Sequence, residues 1–290
     1  MEISFVVMLI TIFHGLVYAM LLYLVASGLT LVFGMMGVLN LAHAFFYMLG
    51  AYIGYSILLH TGNFWVALII APIAVGAIGL LVERYLLRYL HPFGHTYELL
   101  LTIGLQLVIL EGVKWYWGTE PMMVAPPPIL QASISILGAP YPVYRLFILF
   151  FSIALMLVLG WVMFKTRLGM VVRAAVDNPE MVSALGVNTP LVFAGVFSLG
   201  TALAAIAGVI AGPLLGVAPG MADAVGFDAF VVVVTGGLGS LLGAIVAALM
   251  IGELQAFGVM FFPRFSLVLM FALMAVVLSI RPQGLFGVRE

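Results

Sequence analysis

A single charged side chain, that of Glu2, lies within the first 82 residues, and the 80 residues between it and Glu83 carry no charge. Over the 290 residues of the chain, 65% are hydrophobic, only 7% are charged, and the mean hydropathy is +1.30. A soluble domain is about half apolar and a quarter charged, and a fold of this length could not hide so much apolar surface from water. These values exclude a soluble protein. Because no basic segment precedes the first apolar stretch, we expect that stretch to remain as a membrane span.

The apolar segments are long enough to cross a bilayer as helices, which takes about 20 residues each. The sequence therefore predicts an all-α polytopic membrane protein with about eight transmembrane helices plus a Gly-interrupted segment. A single domain is expected to cover residues 1–290. The candidate segments are residues 7–33, 36–58, 64–87, 97–117, 143–164, 190–216, 227–251 (the Gly-interrupted one) and 264–280.

Basic residues cluster in some connecting loops and are absent from the longest polar interval, residues 118–142. Since cytoplasmic loops carry the excess of Lys and Arg, this interval is predicted to be extracytoplasmic, with a short strand at 131–136 and a turn at 138–140. The loop at 165–190 is predicted to be cytoplasmic, and the N-terminus to lie outside. Seven of the ten basic residues fit this orientation, namely Arg84, Arg88, Lys165, Arg167, Arg173, Arg281 and Arg289.

The break at residues 235–240 (TGGLGS) reconciles this orientation with the number of spans. A helix–break–helix that enters from outside and returns, as broken helices do when they line a cavity, leaves the C-terminus on the cytoplasmic side. We therefore expect residues 227–251 to be re-entrant.

Few side chains are available for chemistry. The chain has no cysteine, only two lysines and no phosphate-binding GxxxxGK[ST] loop. The ten basic residues nearly balance the eleven acidic ones, which leaves no basic surface for nucleic acid. We therefore expect a protein that is not an enzyme and that binds no cofactor, metal or nucleic acid itself.

The cytoplasmic segment from Arg173 to Asn188 (RAAVDNPEMVSALGVN) contains start and stop signals for a helix of about two turns. Asp177 or Asn178 caps its N-terminus, with Pro179 at the first helical position, and Gly186 ends it. A helix of two turns is too short to be stable alone in water, so we expect its small apolar face of Met181, Ala184 and Leu185 to dock on another surface. The helix either folds back on its own bundle or inserts into a groove on a cytoplasmic partner.

Polar and glycine residues inside the apolar segments are candidates for a solute pathway. The run Gly34 to His43 (GMMGVLNLAH) contains glycines that interrupt a helix and two polar residues, and an interrupted helix frees backbone groups to bind a solute. The alternative is a histidine that is satisfied by hydrogen bonding between helices. The pathway candidates are Gly34, Gly37, Asn40, His43, Gly236, Gly237, Gly239 and Glu253.

The remaining small and polar residues are predicted to have structural roles. Gly200, Ala204, Gly208, Gly212 and Gly216 recur at every fourth residue and predict close helix packing. Glu111 and Lys114 are expected to pair on one helix face. Asp223 and Asp228 are expected near the outer surface.

Four of these motifs occur in an order that resembles a known family. They are the run Gly34–His43, the loop Arg173–Asn188, the run Gly236–Ser240 (GGLGS) and the run Arg281–Gly287 (RPQGLFG). Together, over about residues 8–287, they are similar to the LivH-type permease subunits of ABC importers for branched-chain amino acids. Two residues depart from the family pattern: Ala44 stands where Gly is usual, and Val182 where Ala is usual.

The resemblance implies a multi-pass permease of the bacterial inner membrane. It implies four kinds of partner: a homologous second permease, two cytoplasmic ATPase subunits that bind ATP, an extracytoplasmic solute-binding protein and the lipid bilayer. Relatives that carry urea or short amides, and an ion-coupled carrier acting alone, remain as alternatives. The residues implied to contact the ATPases are Arg173, Ala174, Ala175, Asp177, Pro179, Glu180, Met181, Ala184, Leu185, Gly186 and Asn188.

Overall fold

A computed structural model describes residues 5–37 and 40–287 of the chain, which form a helical bundle with one small hairpin. Within these residues, eight helices are long and apolar enough to cross a membrane, as the sequence predicted. Predictions that involve Glu2, Val38, Leu39 and Arg289 lie outside the described residues. The long helices are α1 (Phe5–Met36), α2 (His43–Thr61), α3 (Phe64–Val82), α5 (His95–Trp117), α6 (Val143–Lys165), α9 (Thr189–Leu215), α10 (Met221–Gly236), α11 (Leu241–Phe261) and α12 (Ser266–Ile280).

Shorter elements lie at the ends of these helices. Helix α3 continues through a π-helical turn (Glu83–Leu87) into α4 (Arg88–Leu90) and a 3-10 turn (His91–Phe93). Helices α7 (Arg167–Asp177) and α8 (Pro179–Ala184) connect α6 to α9. Further 3-10 turns are Pro128–Leu130 and Pro263–Phe265, and the strands are β1 (Ser133–Ile136) and β2 (Ala139–Pro142).

The two ends of the bundle differ in composition. One end, called here the basic end, holds α7 with Arg167 and Arg173, and the short helix α8 that follows it. There α7, the end of α1 and the turn between α10 and α11 surround a common groove. The other, called the aromatic end, holds Trp115, Tyr116, Trp117 and the β-hairpin. Trp115 is 87% exposed, as expected of an aromatic ring at a membrane interface.

The chain is interrupted between α1 and α2, where the sequence placed two glycines. Helix α1 ends at Met36, and Gly37 follows with a φ of +67° that favours glycine. Helix α2 then begins at His43, seven residues later than predicted, beside Val25 and Gly28 of α1. It therefore starts partway along α1 and not at the end of the bundle.

The Gly-interrupted segment predicted at 227–251 consists of parts of two helices, α10 and α11, separated by residues 237–240. Helix α10 has 16 residues and is about 24 Å long, which is shorter than the hydrocarbon core of about 30 Å. Helix α11 meets the length and hydropathy of a full span. That the pair re-enters the membrane stays a prediction.

Helix α9 is the centre of the bundle and packs against α1, α2 and α3. Its small residues permit this, because a Cβ added to Gly200 would lie 2.9 Å from the Gly28 carbonyl oxygen, and one on Gly208 would overlap the Tyr47 carbonyl oxygen. Ala204 is fully buried. The four-residue repeat is therefore a packing face, as predicted.

The aromatic end is covered by the β-hairpin. Strands β1 and β2 pair antiparallel, with Ile134 opposite Tyr141, and the turn residues Leu137 and Gly138 have φ of 49° and 88°, as in type I′ hairpins. Tyr141 is buried against α1, its ring centroid 5.8 Å from that of Phe13. The strand predicted at 131–136 is thus present, but the turn is tighter than predicted, because Ala139 and Pro140 belong to a second strand.

Candidate functional site

All four motifs that suggested the family meet around one groove at the basic end. This groove has a volume of about 630 Å³. The run from Gly34 to Gly37 lines one side, Arg173 and Asp177 of α7 line another, and the turn after α10 together with Phe286 completes it. Segments far apart in sequence are therefore neighbours here. The lining residues named by the sequence analysis are Gly34, Gly37, Arg173, Asp177 and Gly239.

Glycines let these segments approach at backbone distance. A Cβ on Gly34 would lie 3.3 Å from the Cα of Gly239. Gly236 and Gly237 are buried, and a Cβ on Gly237 would lie 2.5 Å from the backbone nitrogen of Gly287. These positions therefore build the contact surface and carry no side-chain chemistry.

The segment after α12 caps the C-terminal end of α10. The backbone N–H of Leu285 donates to the Thr235 carbonyl (2.9 Å), and that of Phe286 donates to the Gly236 carbonyl (3.0 Å). Carbonyls in the last turn of a helix have no partner within that helix, so this segment satisfies two of them. The run Arg281–Gly287 thus fastens the turn that lines the groove.

Helix α7 is anchored to the end of α6. The Arg173 guanidinium donates to the Met163 carbonyl and lies 5.7 Å from the ring centroid of Phe164. Ala175 is 1% exposed and packs in the core beside the groove, whereas Ala174 is exposed. A displacement of α7 would therefore be transmitted to α6 through Arg173.

Helix α8 has the caps that the sequence predicted but is shorter, with six residues. The Asn178 side chain accepts from the Met181 N–H (2.9 Å), and Pro179 and Glu180 occupy the first turn. Gly186 has a φ of +86° and ends the helix. Asn188 caps the next helix, accepting from the Leu191 N–H (3.2 Å).

The two apolar sides of α8 differ in exposure. Val182, the residue that departs from the family pattern, is 6% exposed and packs into the bundle. Met181 and Leu185 are 59% and 77% exposed, and Ala184 is also exposed. The helix therefore docks on its own bundle through one residue and leaves an apolar face uncovered.

Asn40 and His43 line a second space, which we call the mid-helix cavity, with a volume of about 490 Å³. His43 is 1% exposed, and its Nε2 lies 3.1 Å from the Val25 carbonyl oxygen. Asn40 lies in the non-helical stretch before α2, although the span predicted at 36–58 includes it; its Oδ1 accepts from the Ala42 N–H (3.1 Å). Val25, Leu29, Phe45, Phe227, Phe230 and Phe271 give the cavity an apolar wall.

Glu253 lies apart from both spaces, on α11 against Gly15 of α1. Both of its carboxylate oxygens are buried and have no hydrogen-bond partner among the described residues. The structure therefore does not bring Glu253 together with the other pathway candidates.

Several polar residues of the interior were missed or misplaced by the sequence analysis. Asp228 is 7% exposed and accepts from the Tyr18 hydroxyl, so it is not at the outer surface. Gln106, at the middle of α5, lines the mid-helix cavity with Asp223. A signal for Gln106 was available, because a polar side chain within a span is costly and usually functional. Glu111 and Lys114 do pair, at 2.7 Å.

A buried cluster beside the basic end was also missed. His91 contacts Glu98, and its Nε2 lies 3.7 Å from Oε1 of Glu83. Both glutamates are at most 2% exposed. Their positions on either side of the turn His91–Gly94 could have suggested this pairing. Among the described residues, no group of three or more His, Asp or Glu side chains is arranged to hold a metal ion.

Comparison with known proteins identifies the family. Residues 11–278 match the family described as the permease component of branched-chain amino acid transport systems. The chain belongs to this family. It is therefore a membrane-embedded transport permease and not an enzyme.

Similar curated proteins cover nearly the whole chain. It is 30% identical to the high-affinity branched-chain amino acid transport system permease protein BraD of Pseudomonas aeruginosa, over 94% of each chain. It is also 30% identical to the permease protein LivH of Escherichia coli, over 95% of this chain and 94% of that one. A probable LivH of Methanocaldococcus jannaschii is 26% identical. No solved structure matches.

Proposed function

We propose that this permease is a subunit of an ABC importer in the bacterial inner membrane and forms the translocation path for branched-chain or other hydrophobic amino acids. The observation that supports this proposal most directly is that four separate motifs surround one groove at the basic end, beside the exposed apolar face of α8. The names of the relatives BraD and LivH support the amino-acid substrate. A homologous second permease would form the other half of the path.

Two cytoplasmic ATPase subunits would bind at the basic end, where Met181 and Leu185 enter a groove on one of them and the second permease contacts the other. ATP, bound by the ATPases and not by this chain, would drive their closure and displace α8 together with α7. Arg173 would pass this displacement to α6, and the groove would pass it to α1 and to the turn after α10. An extracytoplasmic binding protein would deliver the solute at the aromatic end.

Uptake of radiolabelled leucine into proteoliposomes tests this function. The vesicles contain the chain with its second permease and ATPases, whose genes we expect beside its own, and the binding protein is added outside. We expect uptake that requires ATP, the ATPases and the binding protein. Uptake of urea or acetamide in place of leucine would identify the amide-transporting alternative. Uptake without ATPase subunits would identify an ion-coupled carrier.

The coupling face is tested by placing carboxylates on it. Met181→Glu together with Leu185→Glu should abolish co-purification of the ATPases, because desolvating two charges in an apolar groove costs several kcal/mol. Met123→Glu is the matched control, since Met123 is 91% exposed in the interval 118–142. Retention of the ATPases by the double variant would contradict the assignment of this face.

A further inference from the structure

We infer that the mid-helix cavity is a recognition site for a zwitterionic α-amino acid with an apolar side chain, in which Asp223 holds the ammonium group. The inference rests on the proposed transport function and adds to it the side chains that select the solute. It starts from two buried polar residues in an otherwise apolar cavity.

Asn40 and His43 each present a polar atom that has no partner among the described residues. Asn40 is 3% exposed, and its Nδ2 makes no hydrogen bond although its Oδ1 does. His43 is 1% exposed, and its Nδ1 makes none although its Nε2 does. Unpaired polar atoms at such depth cost free energy, so a ligand that pairs with them is stabilised.

The hydrogen bond of His43 defines what its other nitrogen can do. A carbonyl oxygen only accepts hydrogen bonds, so Nε2, which faces the Val25 carbonyl, carries the proton. In the neutral ring, Nδ1 is then an acceptor, whereas Nδ2 of Asn40 is a donor. The cavity therefore offers one acceptor and one donor from its buried residues.

Asp223 and Gln106 complete the polar set. Among the described residues that line the cavity, Asp223 is the only acidic one, and none is Lys or Arg. One negative charge favours a ligand with an ammonium group. The N–H groups of that ammonium can donate hydrogen bonds to the Asp223 carboxylate and to Nδ1 of His43. A carboxylate on the same ligand would accept from Asn40 Nδ2 and from the Gln106 amide. An α-amino acid carries both groups on one carbon.

The apolar wall accounts for the rest of the ligand. Phe45, Phe227, Phe230 and Phe271 surround the polar set, and a site of about 490 Å³ is within the range of small-molecule sites. Phe227 and Phe271 are 65% and 42% exposed, so one side of the cavity is open in the single subunit. The second permease would close that side.

Helix geometry places this site where a transporter binds its solute. Gln106 is halfway along α5, and His43 is beside Val25 and Gly28, well inside α1. Solute sites of transporters lie near the bilayer midplane, where helices are interrupted. The interruption before His43 places Asn40 at the wall of the cavity.

The absence of native cysteine makes the site accessible to a protection experiment. Leu41→Cys introduces one thiol into the cavity wall of the assembled importer, and its rate of alkylation by N-ethylmaleimide is measured with increasing leucine. Phe227→Cys is the second probe, in case the first does not assemble. Ile129→Cys, in the exposed interval 118–142, is the control that leucine should not affect.

We expect leucine to slow alkylation of the cavity cysteine. Urea, and 4-methylpentanoate, which lacks the ammonium group of leucine, should have no comparable effect. Adding Asp223→Asn should raise the leucine concentration for half-protection by about tenfold, the loss expected for one charge-assisted hydrogen bond. Glu120→Gln, an exposed carboxylate outside the cavity, should leave it unchanged.

The outcomes separate this inference from the proposed function, because ATP-driven leucine uptake is measured on the same preparations before alkylation. Uptake without protection overturns the site and leaves the transport function standing. Equal protection by leucine and 4-methylpentanoate overturns the role of Asp223. If leucine does not change the rate of alkylation but removal of phospholipid increases it, a lipid acyl chain occupies the cavity. That result would overturn the proposed site.

Discussion

Gly208 shows how much of this fold depends on the absence of a single methyl group. A Cβ at that position would overlap the Tyr47 carbonyl oxygen and would lie 3.0 Å from the Ala51 nitrogen, so backbone atoms on α2 would have to move. A flexible side chain could rotate away from such an overlap, but a helix backbone cannot. The contact between α9 and α2 therefore tolerates only glycine here.

We predict that Gly208→Ala destabilises the protein by about 3 kcal/mol or more, at the upper end of the cost of overpacking. Thermal stability in detergent, followed by gel filtration of heated samples, measures the loss. Gly104→Ala is the matched control, because nothing lies within 4 Å of a Cβ at that helical position, and alanine is the better helix former. Equal stability of the two variants would contradict the packing described for α9.

The Tyr18 hydroxyl is the partner of a buried carboxylate on another helix, that of Asp228. We predict that Tyr18→Phe destabilises the protein by about 1–3 kcal/mol, because Asp228 is left without its donor. The same substitution in an Asp228→Leu background should cost less, since no carboxylate then needs a donor. A double-mutant cycle on thermal stability measures the difference, and additive effects would show that the two groups do not interact.

Individual residues were predicted well where their local sequence determines their role. Asn178, Pro179 and Gly186 are helix signals that act within a few residues, and the structure places each as expected. Asp228 was misplaced and Gln106 was missed because their partners, Tyr18 and the cavity wall, are distant in sequence. Which helix faces another is decided by packing, which the periodicity of one helix does not show.

At the scale of elements, the connection through α7 and α8 depends on the left-handed turn at Gly186. The N–H of Gly186 donates to the Ser183 carbonyl (2.9 Å), and its φ is +86°. Proline has no N–H and holds φ near −65°, so at position 186 it could neither donate this hydrogen bond nor adopt the positive φ. The orientation of α8 relative to α9 would change.

We predict that Gly186→Pro reduces leucine uptake at least tenfold while the ATPases continue to hydrolyse ATP, because hydrolysis is no longer transmitted to the permease. Uptake and phosphate release are measured on the same proteoliposomes. Gly186→Asn is the control, since asparagine tolerates a left-handed conformation and should retain most of the uptake. Unchanged uptake by the proline variant would contradict the coupling role.

The existence of most elements followed from the sequence, but the start of α2 did not. Apolar length predicts a span regardless of its neighbours, so the eight crossing helices were foreseeable. The start of α2 was placed at residue 36 because apolar residues continue through the break, yet Gly37 ends α1 and α2 begins at His43. Continuous hydropathy does not show a change of backbone direction inside a membrane.

For the whole molecule, the asymmetry of charge predicts one orientation in the bilayer. We expect Ile129→Cys to react with a membrane-impermeant maleimide in intact cells, and Tyr89→Cys, beside Arg88, to react only after the membrane is opened. Both positions are well exposed, at 75% and 67%, so a difference in labelling reports the side of the membrane. The reverse pattern would invert the orientation.

The central position of α9 has a consequence for biosynthesis. Helices α1, α2 and α3 all pack on α9, but 95 residues separate the end of the 3-10 turn at Phe93 from the start of α9 at Thr189. At about 5–20 residues per second, the ribosome needs about 5–20 s to make them. During that interval the glycine faces of the first helices have no partner, and α1 waits longer still for α11. Lipids or the insertion machinery must therefore cover these faces, and a ribosome that stalls before α9 releases a chain without a core.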